Sequence, residues 1–166
     1  MKTALVPGTF DPVTAGHIDV IERSALIFDN IVVGVAASAN KGAGPMFSIE
    51  ERVAFIQDAI GHVPNARVQA FDTMLVDFAV TIGAQAIVKG LRVVTDFESE
   101  FQQASINYHI NPGLETVFIM ATPENMYLSS SMIKQISSLH GDVSDWVTPM
   151  VEQALRQRFA SPTDAD

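Results

Sequence analysis

The chain has 166 residues, the length of about one domain, and 48% of them are hydrophobic while 17% are charged. This composition predicts a packed globular protein and excludes a disordered chain. The absence of cysteine excludes a disulfide framework and a cysteine-ligated zinc site. Ten Lys and Arg against nineteen Asp and Glu give a net charge of −9, which disfavours nonspecific binding to nucleic acid or anionic lipid.

Short apolar runs alternate with helical patterns along the chain. Apolar spacing predicts five strands, at 4–6, 31–37, 67–71, 86–88 and 116–120. Between and after them it predicts a helix carrying Ile18, Ile21, Ala25 and Phe28, a helix at 74–82, and helices at 130–139 and 147–159. Two Ser/Thr-x-x-Glu capping boxes predict the remaining helices, from Ser48 to about 60 and from Thr95 to about 109.

This alternation predicts an α/β fold, a doubly wound, Rossmann-like five-stranded parallel sheet with helices on both faces. We expect one domain over residues 1–160 and a frayed polar tail at 161–166. No stretch reaches the ~18 apolar residues of a membrane span, and we recognise no secretory signal, so we expect a cytoplasmic location. In such sheets ligands bind beyond the carboxyl ends of the strands, which directs attention to the segments that follow them.

The segment after the first strand, residues 7–17, reads PGTFDPVTAGH. It matches neither the P-loop nor the Gly-x-Gly-x-x-Gly fingerprint. Gly8 permits close approach of backbone to a ligand, and Gly16 leaves the N-terminus of the next helix open to an anion. His17 lies in the first helical turn, where its ring can donate to a phosphate oxygen, although a solvated histidine on a capped helix remains the alternative.

Cations follow the second and fourth strands. Lys41 is the only charged residue between Asp29 and Glu50, and Lys89 and Arg92 flank Gly90 and Leu91. Each could be a solvated surface residue. Their places at strand ends favour phosphate contacts instead, with Arg suited to a bidentate grip and Lys to a looser one.

Three serines follow the fifth strand and precede a helix. Ser129, Ser130 and Ser131 could serve only as helix caps, or could offer hydroxyl and N–H groups to a phosphate. Lys134 lies one turn further on. A local cluster of cationic and phosphate-binding groups could therefore overcome the negative net charge; its predicted members are His17, Lys41, Lys89, Arg92 and Lys134.

Residues 7–17 contain the Thr-x-Gly-His form of the nucleotidyltransferase motif. Together with FSIEERV at 47–53, KGLR at 89–92, DFESE at 96–100 and SSSMIK at 129–134, it resembles the phosphopantetheine adenylyltransferase family over residues 2–159. The resemblance implies direct transfer of the adenylyl group of ATP to 4′-phosphopantetheine, with magnesium assisting and no covalent intermediate. The products are dephospho-CoA and pyrophosphate.

The resemblance also implies the roles of individual residues. The catalytic residues implied are His17, Lys41 and Arg92. ATP contacts are implied for Thr9, Phe10, His17, Gly90, Leu91, Arg92, Glu100, Asn125, Ser129, Ser130 and Ser131. Contacts to the acceptor are implied for Thr9, Lys41, Leu75, Lys89 and Asn107. No protein metal site is implied, because magnesium is held mainly by substrate phosphates.

Members of this family form homohexamers and are inhibited by coenzyme A, so both are expected here. The chain departs from the family where Lys89 replaces a frequent Arg, where Asn125 replaces an aromatic residue and Ser99 a tyrosine, and in the Gly-Ala-Gly segment 42–44. Two alternatives remain open. One is a related enzyme that adenylates nicotinate mononucleotide or cytidylates glycerol phosphate, which usually has His where Thr14 stands. The other is a noncatalytic sensor of ATP or CoA.

Overall fold

The computed structural model describes residues 1–37, 44–92 and 94–160, without the side chains of 94–96. In chain order the elements are β1 (Thr3–Gly8), α1 (Ala15–Ala25), β2 (Asn30–Ala36), α2 (Ile49–Ala59), β3 (Ala66–Phe71), α3 (Leu75–Thr81), β4 (Ala86–Leu91), α4 (Val94–Ile110), β5 (Glu115–Met120), α5 (Ser130–Ser138) and α6 (Pro149–Phe159). Every predicted strand and helix is present, with shifted ends.

The five strands form one parallel sheet in the order β3-β2-β1-β4-β5, as the alternation predicted. The chain winds first from β1 outward to β3 and then returns to β4 beside β1, so the switch point lies between β1 and β4. This is the position at which doubly wound sheets bind ligands. In the described part of the chain, no helix is long and apolar enough to cross a membrane.

Both faces of the sheet are covered because successive strand residues point in opposite directions. Val6, Val33 and Val88 belong to a larger core that includes side chains of α1, α2, α5 and α6. Leu5 and Val32 belong to a smaller core on the other face, with side chains of α3. α4 lies against β4 and β5.

The two predicted capping boxes have different outcomes. At the start of α2, the N–H of Glu51 donates to Ser48 Oγ at 3.2 Å and the Ser48 N–H donates to Glu51 Oε2 at 2.8 Å, which confirms that box. The box at Thr95 is wrong, because α4 already begins at Val94 and Thr95 is its second residue. An N-cap residue has an extended backbone, whereas Thr95 lies within the helix.

Candidate active site

The described residues enclose a cavity of about 360 Å³ at the switch point. β1 pairs with β2 from Thr3 to Gly8, but with β4 only through Ala4 and Leu5. Beyond these residues β1 and β4 separate, and their carboxyl ends line the cavity. Most of the predicted site residues share this lining: Phe10, His17, Lys89, Gly90, Arg92, Glu100, Asn125, Ser129, Ser130 and Ser131.

His17 is held by the residue that precedes its helix. Its Nδ1 accepts the backbone N–H of Thr14 at 3.1 Å and lies 3.0 Å from Thr14 Oγ1. Since Nδ1 is an acceptor, the proton of the neutral ring is on Nε2. His17 lines the cavity, so the ring offers an N–H donor to a ligand there.

The charge of His17 follows from its surroundings. Burial, with the positive charge of Arg92 as a second cause, lowers the pKa of the ring from 6.5 to about 4. The side chain is therefore neutral at pH 7, and it joins the predicted cluster as a hydrogen-bond donor rather than as a cation.

An NMR titration of the four histidines checks this assignment. We expect the His17 ring to stay neutral, with its proton on Nε2, until the pH falls well below 6. Because the folded pKa lies below the unfolded value, the contribution of neutral His17 to folding is complete above about pH 6.5 and is lost as the pH falls towards 4. A His17 midpoint near 6.5 would contradict the assignment.

Phe10 shapes the loop between β1 and α1, which lines the cavity. It has φ +49°, a left-handed backbone conformation that few non-glycine residues adopt. Its buried ring packs edge-on against His17, with 5.1 Å between the ring centroids. A Cβ on Gly8 would lie 2.9 Å from the same ring, so glycine is required for this packing. Phe10 thereby supports the imidazole ring of His17 through this edge-on contact.

Arg52 is a residue that motif-by-motif reasoning missed. Its side chain is 2% exposed and its guanidinium binds four carbonyl groups. These are the carbonyls of Thr9 (2.7 Å), Ala36 (2.9 Å), Phe47 (3.1 Å) and Ala37 (3.4 Å). Arg52 therefore joins the first loop to the end of β2 and the start of α2. The signal in the sequence was an arginine on the apolar stripe of α2, three and four residues before Phe55 and Ile56.

Asp11 is a second residue to which the sequence analysis assigned no role. Its buried carboxylate accepts the N–H groups of Met46 and Phe47, both at 2.9 Å, and the ammonium of Lys134 at 2.6 Å. Burial alone would raise the pKa of Asp11, but these contacts outweigh burial and hold the pKa below its usual value. Lys134 is not among the described residues that line the cavity, and its predicted phosphate contact stays a prediction.

The cations of β4 and its following segment lie in the cavity as predicted. Arg92 Nη1 donates to the carbonyl of Leu128 at 3.0 Å. Lys89 Nζ lies 3.2 Å from Glu100 Oε2 on α4. The charged members of the described lining are therefore Lys89, Arg92 and Glu100, which leave a net positive charge within a chain of net charge −9.

The serines at the start of α5 cap the helix and contact the first loop, while their phosphate contacts stay a prediction. Ser129 is the N-cap, and its Oγ accepts the N–H of Met132 at 3.1 Å. Ser130 Oγ donates to the carbonyl of Pro12 at 2.8 Å, which ties α5 to the first loop. The N–H groups of Ser130 and Ser131, in the first helical turn at the cavity wall, are the ones suited to an anion.

Four other predicted residues that the structure describes are not part of the cavity lining. Thr9 contributes its carbonyl to Arg52, and Leu91 ends β4 as a buried residue. Leu75 begins α3 beside the smaller core, and Asn107 is buried on α4. Lys41 and the tail 161–166 lie outside the described residues. The ligand contacts of all these residues stay predictions.

Comparison with known proteins gives the context for this geometry. The cytidylyltransferase-like family model matches residues 5–136. A phosphopantetheine adenylyltransferase of Rhodospirillum centenum is 45% identical, with 99% of this chain and 92% of the relative covered. One of Caldanaerobacter subterraneus is also 45% identical, over 96% of this chain and 98% of the relative.

Solved structures share the fold at lower identity. The nicotinic acid mononucleotide adenylyltransferase of Plasmodium falciparum, complexed with NaAD, has a TM-score of 0.66 at 12% identity and covers 96% of both chains. The lipopolysaccharide core biosynthesis protein of Thermoplasma volcanium has a TM-score of 0.53 at 22% identity, with 74% of this chain and 97% of that chain covered. These likenesses concern the fold alone.

The sheet order, the cavity at the switch point and the family match define a nucleotidyltransferase of the cytidylyltransferase-like class. Within that class, the relatives at 45% identity over almost the whole chain identify the family. The chain belongs to the phosphopantetheine adenylyltransferase family.

Proposed function

We propose that this protein transfers the adenylyl group of ATP to 4′-phosphopantetheine, giving dephospho-CoA and pyrophosphate. The observation that carries the proposal is the cavity between β1 and β4, which joins a neutral histidine donor, two cations and a helix N-terminus in a chain of this family. All of these groups suit a phosphate-bearing ligand.

The reaction requires little covalent chemistry from the protein. An oxygen of the acceptor phosphate attacks the α-phosphorus of ATP, a new P–O bond forms, and the bond to the β-phosphate oxygen breaks as pyrophosphate leaves. The acceptor dianion attacks without losing a proton, so no general base is needed. Catalysis then consists of positioning and charge stabilisation.

Each group has a defined part in that process. The Nε2–H of His17 donates to an α-phosphate oxygen, where negative charge grows in the transition state. Arg92 and the first turn of α5 hold the phosphates of ATP, and Lys89 holds the acceptor phosphate. Because β1, α1 and β4 fix these groups, the substrates meet a site that is already organised.

Magnesium is proposed as the accompanying ion. Among the residues that the structure describes, the cavity lining offers serine hydroxyls and one carboxylate, that of Glu100, which already pairs with Lys89. Such a donor set fits an ion bound chiefly through water and the phosphates of ATP, which is how Mg²⁺ is usually held. When bound, it would neutralise charge on the leaving pyrophosphate.

Pyrophosphate release from ATP and magnesium, with 4′-phosphopantetheine and nicotinate mononucleotide as parallel acceptors, tests the function. We expect release with 4′-phosphopantetheine alone. Release with nicotinate mononucleotide alone would keep the fold and the role of His17 but overturn the acceptor. ATP binding without release in either reaction would favour a noncatalytic sensor.

Lys89→Ala tests the assignment of the acceptor phosphate. We expect KM for 4′-phosphopantetheine to rise about tenfold while KM for ATP changes less than about threefold, because one charge-assisted contact is lost on the acceptor side. Steady-state kinetics with each substrate varied in turn measure both values. Equal losses for the two substrates would contradict the assignment.

We further propose that coenzyme A inhibits the enzyme by occupying the same cavity. The molecule contains the dephospho-CoA skeleton, so it carries the chemical groups of the product. We expect excess CoA to slow the reaction in competition with 4′-phosphopantetheine. An unchanged rate would refute the proposal.

A homohexamer is the assembly that we propose. Its support here is α4, on which large apolar side chains are 45–56% exposed, as expected for a helix that is covered in an oligomer. They are Phe97, Phe101, Ile106, Tyr108 and Ile110. Light scattering should give about six times the 18.0 kDa chain mass.

We place the reaction in the cytoplasm, where its ATP is available, and cell fractionation tests this location.

A further inference from the structure

The ion pair between Lys89 and Glu100 is part of the cavity lining, and both side chains are mostly buried. The two side chains are 19% and 25% exposed, and Lys89 Nζ is 3.2 Å from Glu100 Oε2. That oxygen is shielded from solvent and accepts no well-directed hydrogen bond from the described part of the chain. Glu100 is therefore a carboxylate whose one described partner is the ammonium of Lys89.

The fold builds this pair from a single strand–helix unit. Val88 belongs to the larger core, and side chains alternate along a strand, so Lys89 leaves the sheet on the opposite face. α4 lies on β4 and β5, and Phe97 of α4 contacts Phe118, the β5 partner of Lys89. Glu100, one turn after Phe97, is carried to the ammonium by that packing.

A carboxylate in this place opposes the rest of the site. Lys89, Arg92 and the N-terminus of α5 attract anions, while Glu100 repels them and neutralises Lys89. A phosphate group that binds Lys89 must displace the carboxylate of Glu100 from the ammonium. A ligand with further contacts in the cavity can offset the loss of that ion pair, whereas a small free anion replaces one ionic contact with another and gains little binding free energy.

We propose that Glu100 sets the anion selectivity of the cavity by competing with phosphate groups for Lys89. The intact pair keeps inorganic phosphate out and admits a phosphate monoester that is held elsewhere along its length. This inference rests on the proposed function, since it takes Lys89 as the contact for the acceptor phosphate. Glu100 is thus a specificity-determining residue.

Calorimetric titration of the full chain with inorganic phosphate, at low salt and fixed pH, tests the proposal. Glu100→Gln removes the charge but keeps the size and an accepting oxygen. We expect it to tighten phosphate binding roughly tenfold. Glu98→Gln is the matched control, because it removes the same charge from an exposed position on α4, and its affinity should stay within about twofold of wild type. The double variant Lys89→Gln/Glu100→Gln should lose the gain.

Three results would overturn the proposal: equal affinities for Glu100→Gln and Glu98→Gln, a gain that survives in the double variant, or no measurable phosphate binding in any variant. Thermal melts check that each variant folds, and Glu100→Ala provides a second charge deletion. The titration needs neither ATP nor turnover. Its failure is therefore distinguishable from failure of the adenylyl transfer, which the pyrophosphate assay reports separately.

Discussion

Replacing His17 with alanine is expected to lower kcat on the order of a thousandfold while the Kd for ATP changes less than about threefold. The ring is neutral, so its removal takes no charge from the ground-state complex. What is lost is a donor directed at the cavity, whose hydrogen bond strengthens as charge develops on the α-phosphate. Single-turnover kinetics and calorimetric ATP binding measure the two quantities separately.

Two variants sharpen that experiment. His17→Gln places an amide N–H near the position of Nε2 and should recover part of the lost rate. His62→Ala removes a different histidine, an exposed one that contacts Glu22 and is not part of the cavity lining, and should keep kcat within about twofold of wild type. Near-normal turnover in His17→Ala, or equal losses in the two alanine variants, would remove His17 from the mechanism.

The order of the elements could be predicted because it depends on local signals. Apolar runs of strand length alternate with helical spacing, and the crossover rule then allows few topologies. The residues at which the strands and helices end were less predictable. The apolar run of β4 is interrupted at Lys89 and Gly90, so the sequence indicated a strand of 86–88, yet the ladder continues to Leu91. Backbone pairing with β5 does not require apolar side chains there.

The sequence predicted those parts of the site that consist of residues adjacent in the chain. The loop of His17 and the KGLR segment stand out in the sequence, and the structure brings them together. What the sequence could not show is which charges neutralise each other. The partners Asp11 and Lys134 are separated by 123 positions, and only the folded chain places them 2.6 Å apart. Long-range pairs of this kind decide which cations remain for a ligand.

Arg52→Met is expected to lower the free energy of unfolding by about 4 kcal/mol, because it leaves several buried or half-buried carbonyl groups without their donor. Methionine fills a similar volume, so cavity formation contributes little. Burial already lowers the pKa of the guanidinium from its usual value, but the group stays charged at neutral pH, and its carbonyl contacts are strong ones. For a chain of this length the loss corresponds to a fall in Tm of roughly 8–16 °C.

Arg67→Met is the matched control, since it makes the same replacement at an exposed position of β3 and should change stability by less than about 0.5 kcal/mol. Urea unfolding of both variants measures the difference. Below its melting temperature Arg52→Met should also show a lower kcat, because the carbonyl of Thr9 is no longer fixed and the loop that supports His17 through Phe10 loosens. If both variants were equally stable, water would be replacing the guanidinium at the four carbonyls. Arg52 would then have no part in joining the first loop to α2.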